Sequence, residues 1–189
     1  MADFVSTYLD QLEEVIHNLS REAVTAVVDT LEAAWRKERQ IFLIGNGGSA
    51  ATASHMMNDL NKFTLSPGKP RLRALALTDN VPLMTAWGND AAYEDVFVEP
   101  LLNFIRPGDV LIAISASGNS PNVIKAIRAA QEHGLTTIAF TGDRGGRLAE
   151  LADLVVRIPS PLIGQQEDGH MILDHVISGA LRDRIAAAG

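Results

Sequence analysis

The sequence predicts an α/β protein in which a five-stranded parallel sheet lies between two layers of helices. Three observations support this fold class. Short apolar runs alternate along the chain with longer segments of helical periodicity. The runs, such as residues 41–44, lack the polar alternation of half-exposed strands, which indicates that both faces of the sheet are covered. The repeated order of strand and helix favours parallel strands joined by right-handed crossovers.

Two amphipathic helices are predicted before the first strand, over residues 3–18 and 21–37, and Ser20 is suited to cap the second. Such helices could cover one end of the sheet or pair with their copies in another subunit as a helical bundle, and we expect the second use for residues 1–38. The predicted strands cover residues 41–44, 72–77, 110–114, 136–141 and 154–158. The later predicted helices cover residues 49–63, a piece ending at 87 before a turn at 88–90, and residues 94–105, 121–133, 147–151 and 166–187.

Composition limits the classes of function. The 189 residues suffice for one domain, residues 1–189, with 47% hydrophobic and 21% charged residues, as is ordinary for a globular protein. A net charge of −7 argues against broad nucleic-acid binding, and the absence of cysteine excludes thiol chemistry. No apolar run approaches the ~20 residues that span a bilayer, and the acidic N-terminal segment does not resemble a signal peptide. We therefore expect a cytoplasmic protein with no membrane partner.

The first motif follows the strand at residues 41–44, where the chain reads Gly45-Asn46-Gly47-Gly48-Ser49 before a predicted helix. Glycines permit a tight turn there, and Ser49 is suited to cap the helix. A glycine-rich helix start with Asn46 and Ser49 as donors can bind phosphate, although a purely structural turn explains the pattern equally well. The spacing matches neither GxGxxG nor a P-loop, so no nucleotide cofactor is expected.

The second motif follows the strand at residues 110–114, where residues 115–121 read SASGNSP and again open a helix. Its three hydroxyls and the helix start can hold a dianion without Lys or Arg, and Pro121 fits a first helical turn. A serine-rich turn alone is more often only a cap. Two such strand ends in one sheet, however, can converge on one ligand, because ligands of these folds bind at the carboxyl ends of strands.

Three stretches together, GNGGSAATASH, ISASGNSPNVIKAI and TGDRGGRLAELAD, closely resemble the sugar isomerase (SIS) family, in particular the bacterial phosphoheptose isomerases. The resemblance covers almost the whole chain. It implies a flavodoxin-like SIS fold with an N-terminal helical extension, a sugar-phosphate substrate, and a homotetramer whose active sites lie between subunits. It also implies that Ser115, Ser117 and Ser120 bind the phosphate. The other implied substrate-binding residues are Asn46, Gly47 and Ser49, which line the substrate, and Asp90, which lies near the sugar hydroxyls.

Aldose–ketose isomerisation requires a base beside the carbonyl and an acid at its oxygen, acting through an enediol. The resemblance implies that Asp59, which stands where the family has glutamate, is the base and that His175 is the acid. Some family members also hold zinc, and His55 and Asp59 lie four residues apart on one helix face, as a metal pair would. The implied zinc ligands are His55, Asp59, Glu167 and His175, with Glu167 where a glutamine is usual.

The leading hypothesis is an isomerase that converts sedoheptulose 7-phosphate to D-glycero-manno-heptose 7-phosphate for lipopolysaccharide, capsule or another glycan. A hexose or pentose phosphate would use the same base and acid. The alternative from another class is a non-catalytic SIS protein that senses phosphosugars or binds the replication initiator. The presence of both Asp59 and His175 favours catalysis, because a scaffold needs neither.

Overall fold

The computed structural model describes residues 3–188 and contains one sheet of five parallel strands in the order β2-β1-β3-β4-β5. This confirms the predicted fold class. The strands are β1 Gln40–Gly45, β2 Arg73–Ala76, β3 Val110–Ser115, β4 Thr136–Gly142 and β5 Leu154–Ile158. The α-helices are α1 Phe4–His17, α2 Arg21–Arg36, α3 Gly48–Asn58, α4 Val81–Asp90, α5 Val98–Leu102, α6 Pro121–Glu132, α7 Gly146–Leu151 and α8 Ile163–Ala187.

Two apolar layers cover the faces of the sheet, as strands without polar alternation require. In β1, Ile41 and Leu43 point into the layer formed with α2, α3 and α8. Phe42 and Ile44 point into the opposite layer, formed with α5, α6 and α7. All four side chains are fully buried. Helices α3 and α8 therefore lie side by side on one face, which brings distant parts of the chain together.

The two N-terminal helices differ in how they pack. Helix α2 buries Val27 and Leu31 completely, and the hydroxyl of Ser20 caps it by accepting a hydrogen bond from the Ala23 N–H at 3.2 Å. Helix α1 buries only Val15, while Phe4 is 76% exposed. Helix α1 therefore carries apolar surface that residues 3–188 do not cover.

The predicted capping role of Ser49 is wrong. Gly47 is the N-cap, with φ +55°, and Ser49 lies buried inside α3. The turn is tighter than predicted because the chain folds back onto Gly45, where an added Cβ would lie only 2.7 Å from the Ser49 carbonyl oxygen. The helix consequently begins one residue earlier.

The helix predicted over residues 49–63 changes character at Asp59. It is α-helical as far as Asn58 and continues as a π-helix over Asp59–Phe63. The Thr64 N–H donates to the Asp59 carbonyl at 3.3 Å, which is a bond across five residues. Such π turns are frequent at functional sites.

Two further predictions are wrong. The predicted turn at residues 88–90 belongs to α4, which runs from Val81 to Asp90. The predicted helix over residues 94–105 consists of a 3₁₀ turn at Tyr93–Asp95 and the short α5, Val98–Leu102. Pro100 explains the interruption, because a proline has no N–H and fits the first turn of a helix but not its interior.

Candidate functional site

The sheet topology brings the two predicted loops together. Strands β1 and β3 are neighbours, with Gly45 opposite Ile114, so the loops that follow them leave the same edge side by side. Strand order reverses between β1 and β3. Ligands of open parallel sheets bind at such a switch point, outside the carboxyl ends of the strands.

In the loop after β3, three serine hydroxyls converge. The Ser115 Oγ lies 3.5 Å from the Ser117 Oγ and 3.4 Å from the Ser120 Oγ. Gly118 makes this turn possible, since its φ of +63° is one that side chains rarely adopt. Helix α6 begins directly after Ser120. Hydroxyl donors beside a helix N-terminus form a site that can accept a phosphate dianion.

An amide pair ties the two loops to each other. The Asn46 Nδ2 donates to the Asn122 Oδ1, and the Asn122 Nδ2 donates to the Asn46 Oδ1, both at 2.9 Å. The Tyr93 hydroxyl also donates to the Asn46 Oδ1, at 3.0 Å. Asn122 is 1% exposed, so the pair sets the position of the first loop against α6.

A second group of polar side chains joins α3 to α8. One ligand atom from each of His55, Asp59, Asp174 and His175 lies within 4.8 Å of the other three. The Nε2 atoms of His55 and His175 are 3.3 Å apart. The His55 Nε2 is 3.7 Å from the Asp59 Oδ2 and 3.9 Å from the Asp174 Oδ2. Imidazole and carboxylate are ordinary ligands of divalent metals, so this group can hold one.

The SIS domain family matches residues 3–142 of this chain. The chain belongs to the SIS domain family. The phosphoheptose isomerase of Mycobacterium tuberculosis is 40% identical over 175 residues, which cover 93% of this chain and 89% of that protein.

Two solved structures agree with this family assignment. The phosphoheptose isomerase of Neisseria gonorrhoeae superposes with a TM-score of 0.88 at 30% identity, covering 95% of this chain and 97% of that one. The phosphoheptose isomerase of Francisella tularensis gives the same TM-score at 25% identity, covering 95% and 96%. The recognition as an SIS protein similar to phosphoheptose isomerases is confirmed.

The remaining predicted substrate-binding residues, Gly47, Ser49 and Asp90, differ in their exposure and in their contacts. Gly47 faces open space, because an added Cβ would meet no atom within 4 Å. Ser49 is 6% exposed beneath the first loop. Asp90 is exposed at the end of α4, and its carboxylate accepts a hydrogen bond from Asn89 rather than from either loop.

Two clefts lie near these elements of the SIS domain. A cavity of about 410 Å³ opens beside the serine loop, between Ser117, Asn119 and Arg144. A larger cleft of about 590 Å³ lies between α5 and α6, and it contains none of the predicted site residues.

Asp174 is the buried member of the histidine–aspartate group. Its side chain is fully buried, whereas the side chain of His55 is 45% exposed. Burial raises the pKa of the Asp174 carboxyl to about 6, a bond from the Ser178 hydroxyl opposes the rise, and the nearby Asp59 charge adds to it. The Ser178 bond reaches Oδ1 at 3.1 Å, while Oδ2 has no hydrogen-bond partner. The group is therefore closed to solvent on the side of Asp174 and open to solvent on the side of His55.

His170 lies one helical turn before Asp174 and is fully buried. Its ring stacks on Phe140 at 6.4 Å, and neither ring nitrogen makes a hydrogen bond of normal geometry. Burial lowers the pKa of His170 to about 4, and the Thr141 backbone offsets only part of that shift. His170 is thus a neutral core side chain beneath the site.

Glu167 does not belong to the histidine–aspartate group. Its carboxylate lies against the start of α3, where an added Cβ on Gly48 would be 2.5 Å from the Glu167 Oε1. A helix N-terminus favours a negative charge, which accounts for that placement.

Sequence reasoning missed Asn122 and Tyr93, and it considered Asp174 only as a residue that could orient His175 or bridge subunits, not as a metal ligand. Asn122 had a signal, because it directly follows the SGNSP motif. Tyr93 had none, since it reaches Asn46 from a loop 47 residues away. Residues 174 and 175 project about 100° apart on a helix, so the pattern alone could not place both at one site.

Proposed function

We propose that this SIS protein is an aldose–ketose isomerase that converts sedoheptulose 7-phosphate to D-glycero-manno-heptose 7-phosphate. The observation that carries the proposal is the proximity of the Asp59 carboxylate to the His175 imidazole, within 4.8 Å, on two neighbouring helices. A base and an acid that face one sugar are what the reaction needs. The similarity to phosphoheptose isomerases supports the choice of substrate.

In this mechanism the serine loop, Ser115 to Ser120, holds the phosphate, and the loop around Asn46 lines the sugar. Asp59 takes a proton from carbon 1 of the ketose while His175 gives a proton to the oxygen on carbon 2, which forms the enediol. Asp59 then returns its proton to carbon 2. His175 takes the proton from the oxygen on carbon 1, and the aldehyde forms. Both groups end in their starting protonation states.

The histidine–aspartate group also supports zinc as a cofactor. The fit rests on the donor chemistry of His55, Asp59 and His175, and on the unpartnered Asp174 Oδ2 that borders the same space. Zinc bound there would polarise the oxygens of the substrate. With zinc held through the Asp59 Oδ2 and the His175 Nε2, the proton transfers would fall to the atoms of these side chains that do not bind the metal, the Asp59 Oδ1 and the His175 Nδ1.

Assembly and cellular role complete the proposal. Helix α1 exposes Phe4, Val5 and Leu9, and such an uncovered apolar face supports a homotetramer built through residues 1–38, with active sites between subunits. None of the helices in residues 3–188 is long and apolar enough to cross a membrane. We place the enzyme in the cytoplasm, where it supplies heptose for lipopolysaccharide, capsule or another glycan.

A panel of sugar phosphates tests the function. Purified protein is incubated with sedoheptulose, hexose and pentose phosphates, and products are followed by NMR. Turnover of sedoheptulose 7-phosphate is expected, with loss of turnover in His175→Ala and an unchanged assembly. Absence of turnover with every sugar, together with phosphate-dependent binding, would instead support a sensor or scaffold. Preferred turnover of a hexose or pentose phosphate would keep the reaction class and correct the substrate.

A further inference from the structure

The fourth metal-ligand atom of the histidine–aspartate group comes from a different residue than the resemblance to the family implies. Glu167 occupies the position expected from the family, yet its carboxylate is placed at the start of α3, against Gly48. The donor from α8 that completes the group with His55, Asp59 and His175 is Asp174. We infer that Asp174, not Glu167, is the fourth ligand of a divalent metal in this protein.

The spacing of the donors supports this assignment. Tetrahedral zinc with bonds of about 2.0–2.2 Å holds its ligand atoms roughly 3.3–3.6 Å apart. The His55 Nε2 lies 3.3 Å from the His175 Nε2, 3.7 Å from the Asp59 Oδ2 and 3.9 Å from the Asp174 Oδ2. The three distances from the His55 Nε2 are therefore within about half an ångström of that spacing, and the remaining pairs of ligand atoms lie within 4.8 Å of each other.

Each carboxylate has one oxygen held and one directed into the group. The Asn58 Nδ2 donates to the Asp59 Oδ1 at 3.0 Å, and the Ser178 hydroxyl donates to the Asp174 Oδ1 at 3.1 Å. The Oδ2 atoms are the ones nearest His55. Partners of this kind orient metal ligands and are part of working metal sites.

The environment of Asp174 gives an independent reason to place a cation at this group. Its side chain is fully buried and its Oδ2 has no hydrogen-bond partner. A buried carboxylate oxygen without a partner is costly, and a cation between Asp174 and Asp59 would supply the partner. Two carboxylates would also neutralise the charge of a divalent ion in this partly buried site.

The assignment is tested by metal affinity, which does not depend on isomerase activity. Co²⁺ and Zn²⁺ are titrated into metal-stripped wild type, Asp174→Asn and the control Glu167→Ala, which removes every donor atom from the side chain at position 167. Co²⁺ is followed by its visible absorption and Zn²⁺ by competition with a chelator. Asp174→Asn should weaken both metals by about 100-fold or more and diminish the Co²⁺ bands, because it removes a charged ligand. Glu167→Ala should stay within about threefold of wild type, because the side chain at position 167 does not bind the metal.

Equal weakening by both variants, weakening by Glu167→Ala alone, unchanged affinity in Asp174→Asn, or no binding to wild type would overturn the assignment. Asp174→Asn keeps the shape of the side chain and an acceptor for Ser178. Should it nevertheless fail to fold, anomalous diffraction at the zinc edge on the wild type decides the question directly. The Asp174 Oδ2 should lie about 2.0–2.2 Å from the ion, and a Glu167 oxygen at that distance instead would refute the inference.

Discussion

The buried His170 makes the stability of this protein depend on pH in a specific way. Its ring is fully buried and its pKa is lowered from 6.5 to about 4, chiefly because burial penalises the charged form. Between these values the unfolded chain binds a proton that the folded chain does not. The free energy of unfolding contributed by His170 is therefore fully present above pH 6.5 and is lost as the pH falls towards 4.

The size of the effect follows from the two pKa values. Each pH unit between these pKa values changes the free energy of unfolding by ~1.4 kcal/mol. The titration of His170 therefore lowers the free energy of unfolding by about 3 kcal/mol between neutral pH and pH 4. His170→Leu removes the titration while keeping a side chain that suits the contact with Phe140. Comparison with this variant at each pH cancels the contributions of the other groups, including Asp174.

Urea unfolding of both proteins, at one protein concentration and at a series of pH values from about 7.5 to 4.5, measures the difference. We expect the variant to gain stability relative to wild type, by about 2–3 kcal/mol, as the pH falls through this range. A difference that does not change with pH would refute a buried neutral His170. A change of opposite sign would mean that the folded state holds the protonated imidazole.

The remaining predictions concern the loops and the glycines. Gly118→Ala should cost at least ~2 kcal/mol and weaken phosphate binding, because φ is +63° and the new Cβ would collide with the Gly145 carbonyl oxygen. Gly179→Ala, whose Cβ would meet nothing within 4 Å on helix α8, should instead stabilise by ~0.5–1 kcal/mol, and thermal melts distinguish the two. Asn122→Leu should cost about 1–3 kcal/mol and raise KM for the sugar phosphate, because the Asn46 amide loses its partner, and unchanged kinetics would contradict that link.

The sequence predicted most of the fold because the local patterns and the tertiary structure agree. Buried strands such as β3 have continuous apolar runs, and the predicted bounds 110–114 match Val110–Ser115 to within one residue. The errors arose where one residue decides the backbone locally. Gly47 rather than Ser49 caps α3, because the turn closes more tightly than the composition implies. Pro100 interrupts what periodicity alone described as one helix.

The candidate site was predictable as far as motifs mark it. The serine loop and the pair His55 and Asp59 follow from sequence, because residues that are two or four positions apart in the chain also lie close together in the structure. Asp174 and Tyr93 do not, since each depends on which side of an element meets another element. Packing of α8 against α3 determines the position of Asp174. Packing of the 3₁₀ turn near the first loop determines the position of Tyr93.

Proton transfer by Asp59 to and from carbon is the central step of this account. It is tested most directly by NMR of sedoheptulose 7-phosphate with wild type and Asp59→Asn in D₂O. We predict that the wild type forms the aldose with deuterium at carbon 2 in those turnovers in which the proton on Asp59 exchanges with solvent, and that Asp59→Asn loses at least ~100-fold in rate because the base is gone. Undiminished turnover and undiminished deuterium incorporation in Asp59→Asn would contradict proton transfer by Asp59.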